Sequence, residues 1–302
     1  MEFSQRLSRF LRSQPAIWLL LVLILLVAAG FRFYGLDWDG QMDANPHPDE
    51  RHLANTMSHV SLPWPPNWRN LLNPAVSTLN PRRVNPEDAG GGHYDLAYGT
   101  LPVYLYRFLE SVLPGAGGSY DRFFAIGRIS TAIMSLLTLF LIFLIGRRVF
   151  GPRAGLLAAA FFGLAVTDIQ LSHFMTVDAA LTLFAAATLY FGTRLAVSRR
   201  WYNALLMGLM VGFGMACKVS GLTLGAAILA VGILVFVMPD AAGRRTPWRS
   251  ALLLVALAGA GVVLGFGIFE FYVFLDPQTY LKAIGSQAFW LGGVKPNFGS
   301  LR

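Results

Sequence analysis

The stretch AIWLLLVLILLVAAGFRF, Ala16–Phe33, carries a single charge, Arg32, near its end. At about 1.5 Å per residue it crosses roughly 30 Å of hydrocarbon, and its apolar run is longer than the core of a cleaved leader. It reads as a retained membrane span, and the rest of the chain continues in the same style. Apolar residues make up 55% of the 302 and charged residues 13%, well below the roughly one-quarter usual in soluble domains.

Six further apolar segments follow: Ile129–Ile145, Ala154–Leu171, Phe174–Leu195, Trp201–Val219, Leu222–Met238 and Leu252–Phe274. The fold expected is an all-α polytopic membrane bundle of about seven spans. Orientation follows from the arginines, which collect in cytoplasmic loops. Arg6, Arg9 and Arg12 place residues 1–15 inside. Strict alternation then puts inside the loops around Arg147, Arg148 and Arg153, around Arg194, Arg199 and Arg200, and around Arg244, Arg245 and Arg249. The opposite connections, Thr167–Val177 and Lys218–Gly221, are nearly free of positive charge. The net charge of +8 is thus explained by topology and anionic lipid, with no nucleic-acid partner. Cys217 is the lone cysteine and excludes an internal disulfide.

The membrane module, residues 16–274, contains a long extracytoplasmic loop over residues 36–121, too long to be a plain connection. A second extracytoplasmic segment, residues 275–302, stops without a closing helix. The first loop holds Asp37, Asp39, Asp43, His47, Asp49, Glu50 and His52. In His47-Pro48-Asp49-Glu50, proline suits the first helical position and the carboxylates suit the first turn, with Leu53, Met57 and Val60 at helical spacing. On the local pattern Asp49 and Glu50 read first as helix-dipole partners, and functional acids are the second reading. A metal site of His47, Asp49, Glu50 and His52 matches no specific ligand spacing.

Asp178 stands at the outer end of the fourth span, where a carboxylate is costly unless it meets protein, water or a partner. It can be a helix cap or a functional acid; Asp168 reads as interfacial. Lys218, one of three lysines, lies at the outer end of the fifth span and suits an anionic headgroup, the plainer reading being a snorkelling side chain. Three charged groups from separate parts of the chain thus reach one membrane face.

PHPDERHLA, AYGTLPVYLYRFL, SHFMTVDAALTLF and GFGMACKVSGLTL occur in this order after the first span. Together they resemble the polyprenyl-phosphate-sugar-dependent glycosyltransferases of the GT-C fold, including protein O-mannosyltransferases and lipid A aminoarabinose transferases. The resemblance implies a multi-pass enzyme of the plasma membrane that transfers a sugar, with inversion, from a polyprenyl-phosphate donor to an acceptor hydroxyl on the extracytoplasmic face. It implies Asp49 as catalytic carboxylate, Glu50 as its neighbour, Asp178 as the second acid and Lys218 as the donor-phosphate ligand. The acceptor can be a protein, a glycolipid or a polysaccharide. No cofactor is implied, and metal dependence stays open. Members of the family are usually longer, so the chain reads as a front part. The rival reading is a transporter or flippase of lipid-linked sugars.

Overall fold

The computed structural model describes residues 13–38, 47–62, 67–114, 120–240 and 242–291. Asp39, Asp43, Arg6, Arg9, Arg12 and residues 292–302 lie outside them. Among the described residues the chain is helical, with one isolated antiparallel bridge between Val84 and His93. The first apolar stretch forms α1, Gln14–Phe33, whose start is capped by the Ser13 hydroxyl accepting from Ala16 N. The long first loop supplies α2, Pro48–His59, a short α3, Trp68–Leu71, and α4, Leu101–Val112. The bundle continues through α5, Tyr120–Val149, α6, Pro152–Gly163, α7, Val166–Leu171, α8, Asp178–Ser198, and α9, Trp201–Met215. A 3-10 turn, Val219–Leu224, runs into α10, Gly225–Val237, followed by α11, Trp248–Phe269, α12, Phe271–Leu275, and α13, Pro277–Leu291.

All seven apolar segments are helical in whole or in large part, and among the described residues five helices are long and apolar enough to cross a membrane. The third segment, Ala154–Leu171, is interrupted at Leu164 and Ala165. A break in an apolar layer leaves carbonyls without helical partners. Arg32 supplies them: its guanidinium donates to Gly163 O at 3.0 Å and Phe162 O at 3.4 Å, and to Asp168 Oδ2 at 2.6 Å. Ser135 joins the same carboxylate and accepts from Arg32 Nε at 2.6 Å. The lone charge of the first span and the acid expected at an interface therefore form a pair, Arg32 fully buried and Asp168 21% exposed. The fifth segment shortens to the 15 residues of α9, and the carbonyls just beyond it, Ala216 O and Cys217 O, accept from Leu101 N and Gly99 N of the long first loop.

Membrane helices lack a strong hydrophobic drive toward each other and gain most from close backbone approach. The pair α9 and α11 shows this. Gly208 and Gly212 face Gly261 and Gly265, and a Cβ built on Gly208 would lie 1.9 Å from Ala258 O and one on Gly261 2.4 Å from Leu205 O. The outward side chains of α10 are apolar and exposed, Leu229 by 63% and Ile233 by 64%, as a lipid-facing surface requires. At the opposite extreme, α2 turns Leu53, Ala54 and Met57 into a core shared with Leu96, Tyr106, Phe123, Met175 and Cys217. The long first loop is thereby fixed to the bundle.

Gly208→Val forces α9 and α11 apart and is expected to cost on the order of 1–3 kcal/mol, as overpacking typically does. Gly259→Val, where a Cβ meets nothing within 4 Å, is expected to leave stability near wild type. Thermal unfolding in detergent measures both, and equal midpoints for the two variants would contradict the close-packed seam.

Candidate active site

Three helix ends and one loop segment build the site. Pro48 opens α2, and His47, preceding it in extended backbone, accepts from Asp49 N through Nδ1 at 3.3 Å. The His47 ring lies against Phe174, 4.7 Å between centroids, which fixes the entry of the helix. Asp49 is half-buried in the first turn, where the helix dipole favours a carboxylate.

Its neighbour Glu50 points elsewhere and is fully buried. Arg128 of α5 grips it with two bonds, Nε to Oε1 at 2.8 Å and an Nη to Oε2 at 3.0 Å. Met175 N donates to the same carboxylate at 2.7 Å. A buried pair of this geometry ties α2 to α5 and to the loop before α8, so Glu50 sets where Asp49 stands.

Gly99 brings in the second part. Its N–H donates to Cys217 O at 2.9 Å and the N–H of Leu101 donates to Ala216 O at 3.0 Å, which docks residues 99–101 on the end of α9. The approach admits no side chain, because a Cβ on Gly99 would sit 2.0 Å from Ala216 O. Arg82 and Glu270 brace the same segment from behind. They pair at 3.0 Å, Arg82 donates to Leu96 O at 3.0 Å and Tyr98 O at 2.5 Å, and Glu270 accepts from Thr100 N at 2.6 Å.

Tyr98, so held, is the centre of the site. Its hydroxyl donates to Asp49 Oδ1 at 2.7 Å. Lys218 Nζ lies 5.7 Å from the centroid of its ring, and the edge of His52 meets it at 5.7 Å. Lys218, in extended backbone between α9 and the 3-10 turn, pairs with Asp178 Oδ1 at 2.9 Å. Asp178 is the first residue of α8. Three of the four sequence-predicted residues, Asp49, Asp178 and Lys218, therefore gather around one tyrosine. Glu50 supports them from the core.

Burial, then the hydrogen bond to Asp49, then the charges of Asp49 and Asp178 raise the Tyr98 hydroxyl well above its ordinary range, so it stays a donor. Burial lowers His52 below its ordinary value against the pull of Asp95 and Asp49. Its Nε2 has no hydrogen-bond partner among the described residues. Among the described residues no group of three His, Cys, Asp or Glu side chains could hold a metal ion. The site offers a carboxylate that can accept a proton, a partly exposed ammonium that can meet an anion, and a neutral phenol between them.

Tyr98, Arg82 and Glu270 were not singled out from the sequence. Tyr98 lies inside AYGTLP, and its position before the Gly99 docking residue was the available signal; the pairing of Arg82 with Glu270, 188 residues apart, has no local trace.

Residues 121–266 match the sequence model of the family described as dolichyl-phosphate-mannose-protein mannosyltransferase. The chain is similar in structure to the S. cerevisiae protein O-mannosyltransferase Pmt1-Pmt2 complex bound to the sugar donor, with TM-score 0.59 and 16% identity over 88% of this chain and 34% of that one. It is also similar to the Archaeoglobus fulgidus oligosaccharyltransferase tethered with an acceptor peptide, with TM-score 0.52 and 14% identity over 93% of this chain and 38% of that one. The apo form of the A. fulgidus protein gives TM-score 0.54 at 14% identity, over 96% of this chain and 40% of that one. The chain thus spans little more than a third of the length of the solved proteins it matches. No curated protein sequence matches it. The fold is the GT-C fold, as expected from the motifs.

His52 lowered by burial binds fewer protons in the folded than in the unfolded chain once the pH drops below its ordinary value of 6.5. The stability it contributes is full above that pH and is lost as the pH falls through the folded value. His59, lowered by burial and then by Arg83, adds to the same slope. Unfolding midpoints measured from about pH 7.5 to about pH 5 are expected to fall, and His52→Gln to flatten the slope; an unchanged slope would remove His52 from this account.

Proposed function

We propose, from the premise that this chain has the GT-C fold of membrane glycosyltransferases, that it transfers a sugar from a polyprenyl-phosphate donor to an acceptor hydroxyl at the extracytoplasmic face. The observation that carries this reading is the linked set Asp49, Tyr98, Lys218 and Asp178, in which a base and a cation flank the same ring. Glycosyl transfer needs both. The acceptor oxygen must lose a proton as it attacks the anomeric carbon, and the departing phosphate is stable as an anion that needs positive charge more than a proton.

In the proposed reaction Asp49 takes the proton of the acceptor hydroxyl. The new C–O bond forms as the bond to the donor phosphate breaks, with inversion, and the polyprenyl phosphate leaves beside Lys218. Asp178 holds the Lys218 ammonium before the donor arrives, and the Tyr98 hydroxyl orients the Asp49 carboxylate. Glu50 acts through position, locked by Arg128. The plasma membrane as location, and a protein, glycolipid or polysaccharide as acceptor, belong to the same proposal, as does the seven-span module with its extracytoplasmic loop.

A transporter or flippase of lipid-linked sugars is the alternative. Such proteins commonly place the substrate near the midplane on broken helices. Here the break at Leu164 and Ala165 is closed by Arg32 and Asp168, whereas the partly exposed charges stand where α8 begins and α9 ends. That placement favours transfer.

Asp49→Asn is expected to lower transfer by about 10²–10⁴-fold with expression and donor binding kept, whereas loss of a helix-dipole partner costs only about 0.3–1 kcal/mol of stability. Lys218→Met is expected to weaken donor binding and turnover together, and Lys218→Arg to restore part of both. Radiolabelled polyprenyl-phosphate sugars, titrated against the purified protein in nanodiscs, provide the assay. Normal turnover in Asp49→Asn, or unchanged affinity and rate in Lys218→Met, would refute the assignment of that residue. Sidedness is independent of activity: a cysteine placed at Asn85 is expected to react with impermeant reagent from outside, and labelling only from the cytoplasm would reverse the orientation.

A further inference from the structure

At the far end of α8, 21 residues and so roughly 30 Å from Asp178, a groove opens between the α8–α9 turn and the start of α11. It encloses about 510 Å³. Arg199, Arg200 and Trp201 form one side, and Ser250, Leu253 and Leu257 form part of the other. Among the described residues no carboxylate lines it. The nearby Asp240 is already engaged by Arg244 at 3.0 Å.

Arg199 is fixed in an unusual way. Its φ of 54° is the left-handed value that side chains other than glycine rarely adopt, and it is alone in this among the non-glycine described residues. The conformation is held because its guanidinium donates to Ala196 O and, at 2.8 Å, to Met238 O, closing the ends of α8 and α10. Its Nε is buried and has no hydrogen-bond partner among the described residues, so Arg199 presents charge to the groove rather than a free donor at that atom. Arg200 is exposed and reaches the Tyr202 hydroxyl at 3.2 Å. Two adjacent cations thus face a groove with an apolar wall.

We propose that this groove binds the headgroup of an anionic phospholipid, its phosphodiester between Arg199 and Arg200 and its glycerol and first acyl carbons on Leu253 and Leu257. Charge alone suits any phosphate. The lipid is singled out by the leucine wall and by level: Trp201 and Trp248, each 61% exposed, stand at the starts of α9 and α11, where tryptophan marks the headgroup layer. The site needs no acceptor or donor and is independent of the transferase reading.

The test titrates dioctanoyl phosphatidylglycerol, dioctanoyl phosphatidylcholine and inorganic phosphate against the purified chain in detergent, with native mass spectrometry counting bound lipid and thermal unfolding reporting protection. Saturable binding of phosphatidylglycerol is expected, with roughly tenfold weaker binding in Arg200→Gln, the loss of one charge-assisted contact. Ser250→Glu, which sets a carboxylate on an exposed position of the groove wall, is expected to weaken it similarly, so the outcome does not depend on how Arg200→Gln folds. Equal binding of phosphatidylcholine, equal protection by inorganic phosphate, or unchanged phosphatidylglycerol affinity in the folded variants would each overturn the proposal.

Discussion

A carboxylate withdrawn from water in a helical bundle costs several kcal/mol unless a cation and further donors meet it. Glu50 is 0% and Arg128 3% exposed, and Glu270 and Arg82 are 1% and 5% exposed. The first pair joins the long first loop to α5, and the second joins it to the junction of α11 and α12. Removing one partner would strand a buried charge, so the loop has little freedom to leave the bundle. The two rivets serve different halves of the site: Glu50 fixes the turn that carries Asp49, and Arg82 with Glu270 fixes the segment that carries Tyr98. A third, Arg32 with Asp168, repairs a helix break and meets α5 at Ser135, about two turns along from Arg128.

Much of this was legible because it is local. Apolar runs identify helices by length and composition, and Pro48 with Asp49 and Glu50 marks the start of α2. Asp178 and Lys218 stood out because charge at a span end is costly, and the structure pairs them. The motifs quoted for the family resemblance carry Asp49, Tyr98, Asp178 and Lys218, which the structure brings together, although Tyr98 was not singled out within its motif.

What escaped the sequence is long-range. Arg32 inside the first span gave no hint that its partner would be Asp168, 136 positions away. The interruption at Leu164 and Ala165 is invisible in hydropathy, since both residues are as apolar as their neighbours. Glu50 looked like a twin of Asp49 because adjacent acids are indistinguishable in a motif. On a helix they point about 100° apart, and one reaches the core while the other stays half-buried beside the tyrosine.

That divergence separates two kinds of ion pair with opposite uses. The Glu50–Arg128 pair is dry and multiply bonded, so exchanging either partner would cost the full burial of a charge. Lys218 and Asp178 are 29% and 36% exposed and share one contact, a geometry in which the net value of a pair is typically about 0–1 kcal/mol. Such a pair holds an ammonium in place yet gives it up cheaply to a better ligand. A phosphate diester carries its charge on more than one oxygen and can take that ammonium at little cost while Asp178 remains solvated. The site therefore combines a frame that cannot exchange partners with a cation that can, as the proposed reaction requires of a group that must meet a donor, follow the charge growing on its phosphate, and release it.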